Sequence, residues 1–363
     1  MDVRHREVEN ADRTDQPEGN DMTSDLEITA RALVADGKGL LAADETPGTL
    51  TKRFAALGID STPDSRRTYR EMFFTAPGIS AFISGVILQD ETIRQRSATG
   101  GPLTEVLSRQ GILPGIKVDA GAKPLAAAPG ELVTEGLDGL RGRLKEYRGM
   151  GARFAKWRAV LSVSEILPSA SCVQANAHAL ARYAALCQEQ GIVPIVEPEV
   201  LMDASHGIER CEHVTAAVLH AVFDALFAQK VSLEGMLLKP NMVRPAKGCA
   251  KQASVDEVAQ ATVRCLRRHV PAAVPGIVFL SGGQDHLAAT LHLNAINRID
   301  GPLPWKLSFS YGRALQDEAL KAWLGKDERL RAGQQAFHHR AKCDSAAALG
   351  RYRASMEEES VVA

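Results

Sequence analysis

The chain lacks any stretch approaching the ~18 consecutive apolar residues of a membrane-spanning helix; its longest apolar runs are strand-sized or broken by charge. It also lacks an excess of charge of one sign. Its 43 Lys and Arg stand against 44 Asp and Glu, a formal net charge of −1. No basic field is available to draw in nucleic acid or an anionic membrane. Six cysteines (172, 187, 211, 249, 265, 343) form no CxxC, and no Asn-x-Ser/Thr sequon occurs. That pattern reads as free thiols in a reducing compartment. Ten histidines are dispersed, with no HExxH and no Cys/His grid, so no metal site is expected.

The ends are poor in structure-forming signals. The opening "MDVRHREVENADRTDQPEGNDM" mixes acids and bases with almost no large apolar residues. It has no apolar core for a signal peptide and is too acidic for an organelle transit peptide. Residues 1–22 are therefore expected to form a disordered arm, and 351–363 a flexible acidic tail, around a single domain at 23–350.

What is present within that domain is alternation. Eight short apolar runs recur: "GKGLLAAD" (37–44), "FISGVILQD" (82–90), "GILPGIKVD" (111–119), "ARFAKWRAVL" (152–161), "IVPIVEPEV" (192–200), "GMLLKPNMV" (235–243), "GIVFLSGGQ" (276–284) and "WKLSFSYGR" (305–313). Most are followed by sequence of helical period. Residues 171–191 form one such stretch, ending at a glycine. Residues 254–270 form another, opening with a Ser254/Glu257 capping box and closing on basic residues. Eight strand–helix repeats predict an α/β (β/α)8 TIM barrel. An open doubly wound sheet is the rival, but "AADETPG" after the first strand is not a G-x-G-x-x-G turn.

Polar residues then recur at the C-terminal ends of these runs: Asp44, Lys117, Lys156, Glu197, Lys239, Ser281 and Ser310. Barrel enzymes place their chemistry there. Three runs carry pairs two residues apart, Lys117/Asp119, Lys156/Arg158 and Glu197/Glu199, which share one face of a strand. Bare charge is expensive against the helices, so these pairs point into the mouth. Pro240 and Pro198 disfavour helical geometry at Lys239 and Glu197 and keep them extended. A lysine partly buried beside other cations favours its neutral amine, the form that attacks a carbonyl carbon. Glu197 is the candidate proton shuttle, with Glu199 tuning it and Arg158 a fixed cation.

Two anion cradles flank this centre. One joins "LSGGQ" (280–284) to "SYGR" (310–313), where Gly282 and Gly312 allow close backbone approach and Arg313 supplies a charged fork. Loops after the seventh and eighth strands often bind phosphate in this fold. The other is "DETPGTLTKR" (44–53), a helix start carrying the Thr46 and Thr49 hydroxyls near Lys52 and Arg53. Together they point to a substrate with phosphate at both ends.

The segments "LLAADETPGT", "GIKVD", "FAKWR", "IVPIVEPE", "LLKPNMV", "FLSGGQ" and "FSYGRALQ" resemble class I fructose-1,6-bisphosphate aldolase, in register from about residue 25 to 350. The resemblance implies a cytoplasmic homotetrameric barrel enzyme that needs no metal or cofactor. It implies reversible cleavage of fructose 1,6-bisphosphate to dihydroxyacetone phosphate and glyceraldehyde 3-phosphate. By the same resemblance, Lys239 is the Schiff-base lysine and Glu197 the general acid/base. Asp44 and Lys156 orient the carbon 4 hydroxyl and assist dehydration. Ser281, Gly282, Gly283, Ser310, Gly312 and Arg313 hold the phosphate of the ketone half. Thr46, Thr49, Lys52, Arg53 and Lys117 fall at the other phosphate, and Arg158 and Arg66 in the substrate region. Many animal members end in a tyrosine that exchanges the carbon 3 proton, whereas this chain ends "SVVA". The alternatives are a preference for another bisphosphorylated ketose, such as sedoheptulose 1,7-bisphosphate, or a non-catalytic sugar-phosphate-binding scaffold.

Overall fold

The structure, a computed structural model, describes residues 18–358. Ten strands are described, with helices between them except from β3 to β5: β1 (Gly39–Ala42), β2 (Ile83–Leu88), β3 (Leu113–Lys117), β4 (Ala122–Pro124), β5 (Leu132–Thr134), β6 (Phe154–Leu161), β7 (Val193–Val200), β8 (Leu237–Leu238), β9 (Gly276–Phe279) and β10 (Lys306–Tyr311). Eight of them close into a parallel barrel in the order β1-β10-β9-β8-β7-β6-β3-β2. The eight predicted runs are these barrel strands. The remaining two, β4 and β5, form an antiparallel hairpin that the eight-fold pattern did not announce. It is too short and too rich in Ala and Pro to show a periodic signal.

Helix boundaries follow the capping chemistry. Ser254 and Glu257 form a reciprocal capping box at the start of helix Val255–His269. Ser169 caps Ala170–Glu189 by accepting from the Cys172 N–H, and Gly191 takes a left-handed φ of 64° just beyond that helix. Helix Ile208–Ala228 is long and apolar enough to cross a membrane by length and composition. Half of that stretch is buried, including Val214, Val218, Val222 and Leu226, and the helix carries Glu209, Glu212 and Asp224. Those features are those of an amphipathic helix laid on the barrel.

Strand parity divides the core in two. On β7, Val196 and Val200 face the surrounding helices, while Val193 and Ile195 face the barrel axis. On β6, Ala155, Trp157, Ala159 and Leu161 face outward, and Phe154 faces the axis. The axial cluster at the N-terminal end of the barrel is finished by helix Glu18–Leu33. Its Leu26, Ala30 and Leu33, with Val34, pack onto Leu40, Ile87, Phe154, Val193, Leu237 and Val278. This corrects the expected arm boundary, because the helix begins at Glu18 rather than after residue 22. Residues 1–17 lie outside the described ones.

The other end also differs from expectation. Residues 351–358 do not hang free: the Tyr352 N–H donates to Asn294 Oδ1 at 3.0 Å, and Tyr352 is buried. Its hydroxyl donates to Glu357 Oε1 at 2.8 Å. Burying the ring ties the segment down in a way that composition does not reveal. Residues 359–363 lie outside the described ones.

The axial cluster leaves no room at Gly115, where an added Cβ would lie 2.3 Å from the Phe154 ring. Gly115→Ala is expected to destabilise the protein by about 1–3 kcal/mol through overpacking. Phe154→Leu should recover part of that loss in the double variant. Denaturant unfolding measures both, and strictly additive losses would contradict the contact.

Candidate active site

The inward parity that is apolar at one end of the barrel becomes charged at the other. Beyond Val193 and Ile195 on β7 come Glu197 and Glu199, and beyond Phe154 on β6 come Lys156 and Arg158. Lys239 follows Leu237 in the same way. Lys156 and Glu197 are not strand tips, as the sequence implied. They are the third and fifth residues of β6 and β7, which run on past them to Leu161 and Val200. Stagger of strands around a barrel brings such interior residues level with the ends of shorter neighbours; Lys156 thus lies opposite Lys117, the last residue of β3.

These side chains meet as an alternating chain of charge. Lys156 Nζ lies 2.6 Å from Asp44 Oδ2 and 3.2 Å from Glu197 Oε2. Glu197 Oε1 lies 3.1 Å from Lys239 Nζ. Lys156, Glu197 and Lys239 are each exposed by only 4–5% of their side-chain surface. Burial pushes the Asp44 carboxyl up, but the Lys156, Lys239 and Lys117 ammonium groups outweigh it and hold it down to about 2. Burial likewise opposes ionisation of Glu197, and Lys156, Lys239 and Arg158 overcome it and keep its carboxyl below the ordinary range. Burial disfavours the ammonium of Lys156, yet Asp44 and Glu197 raise it well above its usual value. Lys156 is therefore a fixed cation between two carboxylates, and the immediate neighbour of Lys239 is a base.

Arg70, which the sequence reading missed, holds Asp44 in position. Its guanidinium is fully buried and donates to the carbonyls on either side, Ala43 O at 3.2 Å and Glu45 O at 2.6 Å. It comes from helix Pro63–Phe74 and lines no part of the mouth, so no strand-tip pattern reveals it. Asp119 was seen only as the partner of Lys117. It also accepts from Gly121 N–H and Arg158 N–H, joining β3, the hairpin and β6.

A cavity of about 400 Å³ opens over this centre. Asp44, Thr46, Thr49, Arg53, Lys117, Lys156, Arg158, Glu197, Glu199, Lys239, Ser281, Gly282, Gly283, Ser310, Gly312 and Arg313 all line it. Lys52 and Arg66 do not. Lys52 is exposed, whereas Arg66 is nearly buried against Glu91, 3.0 Å away, and Ser61. Lys52 shares a helix face with Thr49, three residues before it, yet its side chain is left to solvent outside the cavity, which proximity in sequence does not disclose. Arg53 reaches the cavity wall but is committed to Glu45 at 2.5 Å and Asp317 at 2.9 Å. Arg158 is paired with Glu199 at 2.5 Å, so Glu199 balances that cation.

The Arg313 side is built differently. Arg313 has no ion pair among the described residues and begins helix Arg313–Trp323. Gly282 and Gly283 are consecutive left-handed residues with φ of 58° and 72°. A Cβ at Gly283 would lie 2.7 Å from Lys247 Nζ. Ser310 Oγ is buried without a hydrogen-bond partner among the described residues. An uncommitted guanidinium, a helix start and a buried hydroxyl are groups that can receive an anion.

A family model described as fructose-bisphosphate aldolase class-I matches residues 25–362. The chain belongs to that family. Membership makes it a carbon–carbon lyase, in keeping with the resemblance read from its motifs. It is 58% identical over 330 residues to a probable class 1 fructose-bisphosphate aldolase of Xanthomonas campestris, covering 90% of this chain and 98% of that protein. It is 51% identical to cytosolic fructose-bisphosphate aldolase 4 of Arabidopsis thaliana, covering 91% of this chain and 84% of that one. The Plasmodium falciparum aldolase, solved in complex with TRAP and a small-molecule inhibitor, superposes with a TM-score of 0.91 at 46% identity, over 92% of this chain and 96% of that one.

In this aldolase Asp44 is held below its usual value of 3.8. Its stabilising effect is therefore complete above about 3.8 and is lost as pH falls through about 2. The margin of the wild-type protein over Asp44→Asn, measured by urea unfolding, should shrink by about 2 kcal/mol between pH ~5 and pH ~2. A pH-independent margin would show that Asp44 is not held by the cations.

Proposed function

We propose that this aldolase cleaves fructose 1,6-bisphosphate through a Schiff base on Lys239. The observation that carries this reading is the 3.1 Å approach of Glu197 Oε1 to Lys239 Nζ in a buried site. Glu197, ionised in the resting site, takes a proton from Lys239 and frees the lone pair of its amine. The amine adds to carbon 2 of the ketose to give a carbinolamine. The protonated Glu197 returns its proton to the departing hydroxyl, and water leaves. The resulting iminium is the electron sink for the next step. Glu197, again a carboxylate, removes the proton of the carbon 4 hydroxyl, the carbon 3–carbon 4 bond breaks, and its electron pair forms the enamine. Lys156, fixed between Asp44 and Glu197, stabilises negative charge at that oxygen. The enamine regains a proton at carbon 3 from Glu197 through water, and hydrolysis releases dihydroxyacetone phosphate. Chelator treatment should leave turnover intact, because the iminium polarises the carbonyl carbon without a Lewis acid.

The phosphate of the ketone half sits against Arg313, Ser281, Gly282, Gly283, Ser310 and Gly312. The other phosphate meets Thr46, Thr49 and Lys117. Lys52 and Arg53 serve it weakly: one stands away from the cavity and the other is already paired. The protein works in the cytoplasm as a homotetramer, a reading supported by family resemblance.

Borohydride added with dihydroxyacetone phosphate should reduce the iminium to a stable amine on the peptide containing Lys239 and abolish activity. Label on another lysine, or none, would sink the mechanism. Arg313→Ala should raise KM for fructose 1,6-bisphosphate and fructose 1-phosphate together, by about 10–100-fold, through loss of a charge-assisted contact. Thr49→Val should raise KM for the bisphosphate alone. Equal losses on both substrates in both variants would contradict two separate phosphate positions.

A further inference from the structure

Away from the barrel mouth, three potential metal-ligating side chains converge where the sequence suggested none. Helix Leu330–Ala348 carries His339 and Cys343 four residues apart, on one face. The chain then turns at Gly350, whose φ is 65°, and brings Glu357 back beside them. Cys343 Sγ lies 3.9 Å from His339 Nε2, which lies 3.7 Å from Glu357 Oε2. All three donor atoms fall within 4.8 Å of one another. A tetrahedral ion bonded at ~2.3 Å to sulfur and ~2.0 Å to nitrogen and oxygen holds its ligands ~3.3–3.6 Å apart. The side chains need only a small contraction to reach that spacing.

We propose that His339, Cys343 and Glu357 bind a divalent metal of the zinc class and that the ion fastens the C-terminal segment to the last helix. The carboxylate is already oriented for this role. Its Oε1 accepts from Arg340 Nη2 at 2.5 Å and from the Tyr352 hydroxyl at 2.8 Å, which turns Oε2 toward His339. Metal-bound carboxylates are commonly steadied by such outer hydrogen bonds. Cys343 is buried, while His339 and Glu357 remain partly exposed and leave a way in from solvent. On binding, Cys343 gives its proton to solvent, His339 binds as the neutral ring through Nε2, and water takes the fourth position. The thiolate and carboxylate oppose the double charge of the ion, the carboxylate being shared with the Arg340 guanidinium. None of the three residues lines the cavity assigned to aldol cleavage. The function of the ion is thus separate from catalysis.

The test uses the full-length protein, stripped with chelator and titrated with Co²⁺ as an optical substitute for Zn²⁺. One ion per chain should bind and produce a thiolate-to-cobalt charge-transfer band. Cys343→Ser should abolish the band, whereas Cys249→Ser, which alters a partly exposed thiol elsewhere, should keep it. His339→Ala and Glu357→Gln should each weaken binding at least about tenfold. Zn²⁺ should compete with the cobalt signal and raise the melting temperature of the wild-type protein, but not of Glu357→Gln. The proposal is overturned by absence of stoichiometric binding, by a band that survives Cys343→Ser, or by one lost in Cys249→Ser. Should Cys343→Ser fail to fold, unchanged affinity in Glu357→Gln overturns it as well.

Discussion

The alternation of Asp44, Lys156, Glu197 and Lys239 governs the rest of the molecule. Four ionisable groups with almost no solvent would each cost several kcal/mol to bury alone. They tolerate one another because every cation touches a carboxylate and every carboxylate touches a cation. Glu197 stands at the centre, with one oxygen toward Lys156 and the other toward Lys239. That geometry allows one carboxylate to relay protons at two successive steps without moving its backbone. Fixed dipoles and charges in a nearly dry site are also the arrangement that lowers barriers most effectively.

Such a site requires a rigid frame, and the barrel is built asymmetrically to supply one. The same inward parity is apolar at the N-terminal end and charged toward the mouth. Glycines at 85, 115 and 276 make room for Leu33, Phe154 and Val34, so helix Glu18–Leu33 can close the bottom tightly. Arg70 clamps the carbonyls beside Asp44 from below the mouth. At the rim, charge is allotted unequally. Arg53, Lys117 and Arg158 are paired with carboxylates, while Arg313 has no such partner among the described residues. A ketose bearing two phosphates, each carrying roughly −1.5 to −2, would find one receptor ready and the other already neutralised, which favours one orientation.

The C-terminal segment follows a different logic from the mouth. The last described turn is held against the final helix by Tyr352, Arg340 and Glu357. Its acidic residues suggest a flexible tail only because composition counts charges and ignores their partners. A buried arginine beside the segment converts one of those charges into an anchor.

Strand–helix alternation, the Ser254/Glu257 capping box and the polar residues on each apolar run were all decided locally. Period and capping depend on neighbours within a few residues, so the barrel and most of the mouth could be read from sequence. The lysine and glutamate at its centre were legible because a proline after each one, at 240 and 198, left little choice of backbone. What required the tertiary structure were relations between distant segments. Strand stagger set the depth of Lys156 and Glu197, Lys52 was left to solvent outside the cavity, and Glu91 captured Arg66. Arg70 reached Asp44 from another element, and the turn at Gly350 carried Glu357 to His339 and Cys343. Each of these is a contact between segments whose separation along the chain carries no periodic signal, and only packing the whole chain into one volume brings them together.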